Sequence, residues 1–386
     1  MTVKITRVIT NSSVIPWHLD KYLRMISKDK NFDVSVVGTN ASYHASDYPG
    51  ITFIDCNIER KINIVKDFYS IVSLYRILTN LRPDIVHSLM PKSSIICAIS
   101  AFAARIPIRL HTYTGQMWNL KRFPKLNVVY WCDWLVSKLN TKCYTDSPSQ
   151  SLYLKDLNIS QSGKPFDYFC DGSLSGVDIN AVNNQLSKSY KVSYLDDYSD
   201  FFIVGFMARK TREKGIFDLL KIFSNFRNLN SERKIVLFFI GPDDSKGELD
   251  ILRIKSPELF EGVVEIGSVD VPFKYLAKFD VLLLPSYREG FGSIIIDAAV
   301  CCVPSISSNI VGLRDAVKHE KTGYLFEAGD VEKATEYLSL LYHDTKLRET
   351  IAKNAYDRAI TDFDCIKIHN EQIDSYNNLI GKYLSQ

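Results

Sequence analysis

Residues 200–226 read DFFIVGFMARKTREKGIFDLLKIFSNF. A continuous apolar run, FFIVGFMA, passes straight into a basic loop, then Gly215, then a segment whose apolar residues recur at helical spacing. An unbroken apolar run suits a strand buried on both faces, and so a parallel sheet covered by helices. A strand handing over to a helix across so short a loop is half of a βαβ unit.

The same alternation extends outward. Towards the C-terminus come strand-like KIVLFFIG (234–241), VVEIG (263–267) and DVLLLPS (280–286), then helical SIIIDAAVC (293–301), then VPSISS (303–308) and GYLF (323–326). Towards the N-terminus the strand-like runs are VKITRVIT (3–10), FDVSVVG (32–38), ITFIDC (51–56), DIVHSL (84–89) and IPIRLHTY (106–113). Helical patterns fall at 19–27, 61–82 and 93–104. The fold class is α/β, with two doubly wound, Rossmann-like domains of parallel sheet. The expected division is 1–170, a polar connection over 171–199, a second domain over 200–365, and a last helix, 366–386, a candidate to pack back on the first domain.

Composition narrows the function. The chain has 386 residues, 46% hydrophobic and 24% charged, ordinary for globular domains. A net charge of +3 is too small to argue for nucleic acid. The eight cysteines form no CxxC and accompany no His pair at zinc spacing, so they read as reduced thiols and the protein as cytoplasmic. MTVKITRVIT reads as a strand and not a signal peptide. No apolar run reaches the ~18–20 residues that span a bilayer, so any membrane contact is expected to be peripheral.

In such sheets ligands gather at the carboxyl ends of strands. After FFIVGFMA stand Arg209, Lys214 and Gly215. A guanidinium fork, a compact ammonium and a helix N-terminus together suit a diphosphate. After DVLLLPS come Tyr287, Arg288, Glu289, Gly290, Phe291, Gly292 and Ser293, then a helix carrying Asp297. Two glycines let backbone approach a ligand, and Glu289 can accept from sugar hydroxyls. Taken singly, a solvated basic loop or a helix-start acid explains each motif as well.

Taken together, the two motifs resemble the C-terminal domain of retaining GT-B glycosyltransferases of family 4. The resemblance covers residues 200–335. It implies two domains facing across a cleft, Arg209 and Lys214 on a donor diphosphate, and Glu289, Gly290, Phe291, Gly292 and Ser293 around the donor sugar and ribose. Ala208 stands where the family has Gly, and Asp297 where it has a second Glu, the ribose-binding position. DIVHSLMPKSS and IRLHTYTGQMW look like a bacterial surface-polysaccharide branch of that family. His111 matches the family's histidine near the donor sugar. His87, Thr112, Thr114 and Gln116 are candidates for the acceptor side or the cleft. A strand-end histidine is equally read as a buried structural residue.

The resemblance implies transfer of a sugar from a nucleotide-sugar, UDP-hexose or UDP-N-acetylhexosamine, to a lipid-linked saccharide at the inner membrane face. It also implies retained configuration, a departing phosphate oxygen as proton acceptor, and no metal or cofactor. Asp196-Asp197 and Asp243-Asp244 read as turn residues. Residues 117–142 mix Trp118, Trp131 and Trp134 with Lys121, Arg122, Lys125, Lys138 and Lys142, a composition of headgroup regions or of an ordinary amphipathic helix. The basic, apolar helix at 60–82 reads as facing its own core. Rival readings are another GT-B enzyme, such as a sugar-nucleotide epimerase, or a sugar-nucleotide-binding subunit without turnover.

Overall fold

The computed structural model describes residues 2–116, 118, 124–160, 162–187, 193–231 and 233–384. It divides into two compact units, Met1–Ser175 with Cys365–Gln386, and Gly176–Asp364.

The first unit carries six strands: β1 (Val3–Asn11), β2 (Phe32–Thr39), β3 (Thr52–Asp55), β4 (Ile85–Leu89), β5 (Ile108–Tyr113) and β6 (Lys142–Thr145). They lie in the order β3-β2-β1-β4-β5-β6, every pair parallel. Order reverses between β1 and β4, the switch point at which open parallel sheets take ligands. Side chains alternate across the sheet. Ile5 and Ile9 enter a core shared with Leu23, Tyr376 and Leu379. Val8 joins Val37, Val86 and Ile96 on the opposite face.

The last helix, Cys365–Tyr383, is part of this unit. Its Tyr376 is wholly buried beside Arg7 of β1 and His87 of β4. Arg7 Nη1 donates to Tyr376 Oη at 2.7 Å and sits 2.8 Å from His87 Nδ1. A guanidinium can only donate, so His87 Nδ1 holds a lone pair and Nε2 carries the proton. That proton faces Thr112 Oγ1 at 2.8 Å.

The second unit carries β7 (Phe202–Met207), β8 (Ile235–Ile240), β9 (Val263–Ile266), β10 (Val281–Leu284), β11 (Ser305–Ser308) and β12 (Gly323–Phe326). Their order is β12-β11-β10-β7-β8-β9, again all parallel. Here the switch point lies between β7 and β10. Residues 176–199 are not a separate connection. Val177, Val182 and Leu195 are buried in the second core, and Val177 N donates to Phe363 O at 2.7 Å. The polar composition of this stretch hid three apolar anchors. The division therefore falls after Ser175 and again after Asp364, which puts Cys365 with the first unit.

All eight cysteines are free thiols. Among the described residues, no helix is long and apolar enough to cross a membrane.

Tyr376→Phe keeps the ring and removes the hydroxyl that Arg7 and His87 share. Leaving those groups under-satisfied in a buried site is expected to cost about 1–3 kcal/mol. The urea midpoint for unfolding of the first unit should fall accordingly.

Candidate active site

Two loops leave the carboxyl ends of the adjacent strands β7 and β10. The first runs through Ala208 to a short turn, Arg212–Lys214, and then to Gly215 at φ 71°, the N-cap of the helix Ile216–Leu229. A Cβ at Gly215 would lie 1.8 Å from the Pro285 carbonyl oxygen just past β10. Only glycine satisfies both that approach and the left-handed backbone. The second loop ends at Gly292, N-cap of the helix Ser293–Ala299. A Cβ at Gly312 would come within 2.1 Å of the Gly290 carbonyl oxygen, so a third segment presses on this loop.

That approach brings Lys214 and Glu289 together as an ion pair, with only 19% and 12% of their side chains exposed. The Ser286 hydroxyl donates to the same Glu289 oxygen at 3.0 Å and is itself fully buried. Further ties join the loops. Tyr287 N donates to Glu213 O at 2.8 Å, and the Tyr287 hydroxyl to Asp218 Oδ2 at 2.6 Å. The Asp218 hydrogen bond, with burial, pushes the Tyr287 phenol up to about 12, so it stays a donor. Arg288 pairs with Glu213.

Arg209 is half-exposed and held by Asp244 at 3.2 Å, beyond β8. The neighbouring Lys210 is 4% exposed, 3.4 Å from Glu265 and over the Phe239 ring at 4.5 Å. Lys210 anchors the loop, which leaves Arg209 to face solvent. Asp243 accepts from Ser245 N at 2.8 Å, a turn contact, while the side chain of Asp196 lies outside the described residues. Among the described residues, no group of three or more His, Cys, Asp or Glu side chains is arranged to hold a metal ion.

Some expected ligand residues are placed differently. The Phe291 ring is 3% exposed and packs edge-on against Phe363 at 5.2 Å, so only its backbone is free to meet a ligand. Asp297 is half-buried, just over one turn into its helix and within electrostatic reach of the Cys301 thiol.

In the first unit the two strand-end histidines differ. His87 has no exposed surface, and its ring nitrogens face Arg7, Tyr376 and Thr112. It is a structural residue and not a cleft residue, and Thr112 is its partner. Gln116, 3% exposed, lies 3.3 Å from the Gln150 amide. Thr114 stays half-buried with its hydroxyl 3.7 Å from Met90 Sδ. His111 ends the same row on β5. Its Nδ1 lies 2.9 Å from the Ser88 hydroxyl and 3.2 Å from the Ser88 carbonyl; the carbonyl can only accept, which favours a proton on Nδ1 and a lone pair on Nε2. Burial lowers its pKa to about 3, so at neutral pH it acts through hydrogen bonds and not charge.

Of the aromatic-basic stretch, Trp118 is wholly buried and donates to Asp133 Oδ2 at 2.7 Å. Lys142 pairs with Asp167 at 2.7 Å, and Lys138 lies over Trp134 at 5.2 Å. Lys121 and Arg122 lie outside the described residues.

With this geometry in view, comparison with known proteins is specific. Residues 195–358 match the family of glycosyl transferases group 1, and residues 12–133 match the glycosyl transferase 4-like family. The chain is 28% identical over 98% of its length, and 97% of the relative's, to the capsular polysaccharide biosynthesis glycosyltransferase CapM of Staphylococcus aureus. It is 24% identical to the UDP-Gal:alpha-D-GlcNAc-diphosphoundecaprenol alpha-1,3-galactosyltransferase of Escherichia coli, over 83% of this chain and 82% of that one. Its fold matches Anabaena HepE, solved in complex with UDP and glucose, with a TM-score of 0.78 and 16% identity over 97% of this chain and 100% of that one.

Two outcomes test this geometry. Gly215→Ala should lower the melting temperature, because the added Cβ must push the β7 loop off Pro285. Acid should destabilise the first unit. Burial holds His18 at about 4, His111 at about 3 and His369 at about 4, all depressed below their ordinary 6.5. Unfolded histidines take up protons first, so this stability is present above about 6.5 and is lost as pH falls towards 4. Burial raises Asp133 to about 7, an opposite contribution that favours folding more as pH falls, but three histidines outweigh one carboxyl. Urea midpoints measured across pH 4–7 should therefore fall with acid.

Proposed function

We propose that this chain, built on glycosyl transferase group 1 and 4-like domains, moves a hexose or N-acetylhexosamine from a UDP-sugar onto a lipid-linked saccharide. The product would serve surface-polysaccharide assembly, of capsule or O-antigen, at the inner face of a membrane. The observation that carries the reading is the Lys214–Glu289 pair at the switch point between β7 and β10. An ammonium paired with a carboxylate at a strand-end loop can exchange part of that contact for a diphosphate. The relatives' own donors and acceptors support the choice of substrates.

In the reaction the acceptor oxygen forms a bond to the anomeric carbon as the bond from that carbon to the diphosphate oxygen breaks. The acceptor proton passes to a phosphate oxygen of the departing nucleoside diphosphate, and configuration is retained. Lys214, Arg209 and the free amides at Gly292 and Ser293 stabilise the charge that grows on the leaving group. Glu289 accepts from sugar hydroxyls and orients the donor ring, and in the first unit the Nε2 lone pair of His111 is assigned to accepting from a ligand hydroxyl. Asp297 is assigned to the ribose and Thr114 to the acceptor side. Two cations in reach of one diphosphate do the work a divalent ion does elsewhere, so the reaction is expected to need no metal.

Purified protein should turn over one UDP-sugar in a donor screen with a short diphospholipid-linked acceptor, read by mass spectrometry. The anomeric configuration of the product can be read by NMR. Arg209→Ala and Lys214→Ala should each lower kcat/KM by on the order of 10²-fold or more. EDTA should leave the rate unchanged. Donor binding without turnover under every acceptor tried would instead favour a non-catalytic subunit.

A further inference from the structure

Arg7 lies in the middle of β1, and only 2% of it is exposed. An arginine stays protonated at any working pH, so burial cannot relieve it of its charge. Its Nη1 donates to His87 Nδ1 and Tyr376 Oη, and its guanidinium lies over the Tyr22 ring. Those groups meet hydrogen bonds but bring no negative charge.

The carboxylates on the elements packed around Arg7 are engaged elsewhere. Asp20 holds Arg24 and the Tyr48 hydroxyl. Asp29 accepts from Asn31 N at 2.9 Å, and Glu371 from Cys170 N at 2.7 Å. Asp146, just past β6, meets the Gln150 amide at 2.8 Å. Strands β4, β5 and β6 carry no acid at all. A buried cation with only neutral partners is costly, and folded proteins rarely leave one so.

A small cavity adjoins this cation. It lies wholly within the first unit, and Arg7, His18, Tyr22, Thr112, Phe169 and Gln372 are among its lining residues. Three of these carry a buried polar atom without a hydrogen-bond partner: Arg7 Nε, His18 Nδ1 and Tyr22 Oη. Arg7 is 2% exposed and Tyr22 6%. Buried polar atoms are nearly always satisfied, so three around one cavity mark a place for a ligand. The guanidinium nitrogen can only donate, the phenol can donate, and the imidazole nitrogen donates in one tautomer. The occupant they suit is therefore an acceptor. The space admits about one water-sized body, too little for a sugar or a nucleotide. A water would meet the hydrogen bonds and leave the charge of Arg7 unbalanced.

We propose that this cavity binds a single chloride-sized anion, held by Arg7 Nε with Tyr22 and His18. The anion supplies the counter-charge that the surrounding carboxylates do not. Because Gln372 and Tyr376 of the last helix flank the same cation, it also fastens the end of the chain to β1. No group assigned to the transfer chemistry takes part, so the site stands or falls apart from the proposed reaction.

Full-length protein exchanged into sodium gluconate, whose anion is too large to enter, would be titrated with sodium chloride at constant ionic strength. The melting temperature of the first unit should climb by roughly 3–5 °C for each tenfold rise in chloride beyond the dissociation constant. Bromide should act in the same way. Tyr22→Phe keeps the ring and removes one donor, and should raise the chloride concentration needed on the order of tenfold. Arg7→Met should abolish the response; should that variant fail to fold, Tyr22→Phe carries the test. Hydrogen exchange in the helix Cys365–Tyr383 should slow as chloride is added. Crystals grown in bromide should show an anomalous peak beside Arg7 Nε. Equal melting temperatures in chloride and gluconate would assign the cavity to water and overturn the proposal. So would a wild-type response in either variant, or bromide absent from the cavity.

Discussion

The close passage of two backbones governs the second unit. Where Gly215 passes the Pro285 carbonyl there is no room for a side chain, and the chain adopts a backbone that only glycine takes without strain. Because the loops of β7 and β10 meet there, a lysine from one and a glutamate from the other can pair across 75 residues of sequence. The Tyr287–Asp218 and Arg288–Glu213 ties then fix the loops on either side of it. The pair and its flanking ties are made by the protein's own side chains, which fixes the charges at these strand ends.

The first unit meets a related constraint with different chemistry. Arg7 is 2% exposed, and it faces neutral groups: a histidine, a tyrosine hydroxyl and the face of Tyr22 at 4.7 Å. A buried guanidinium is costly unless its hydrogen bonds are met. The partners come from β4 and from a helix at the far end of the chain, which makes the last twenty residues part of the core. The same cation depresses His87 further, after burial has already done most of that work. A neutral His87 is what allows its Nδ1 to accept from Arg7 at all.

Much of this was legible in the residues. Unbroken apolar runs announced buried parallel strands, and the two motif loops fell at the edge where the structure places them. What escaped had physical causes. β6, four residues of LysCysTyrThr, is too short and too mixed to show a period. His87 and His111 both end strand-like runs, and local sequence cannot tell them apart. Only Arg7 and Tyr376, the latter 289 residues away, make one a core residue. The helix at 64–81 carries apolar groups on two sides, so its pattern named a helix without naming its exposed face. Ser286 gave no signal beyond its place after a proline, yet it holds Glu289.

These observations also order the chemistry within each unit. In the second, the Lys214–Glu289 pair sits between the loops of β7 and β10, and the flanking contacts lock it in place. In the first, burial holds His87 and His111 neutral, with Arg7 and Tyr376 against one ring and Ser88 against the other. A neutral imidazole can hydrogen-bond without carrying charge, His87 wholly within the core and His111 on β5. The two units therefore differ in kind: the second pairs a lysine with a glutamate at its strand-end loops, whereas the first surrounds a strand-borne cation, Arg7, with neutral partners inside its core.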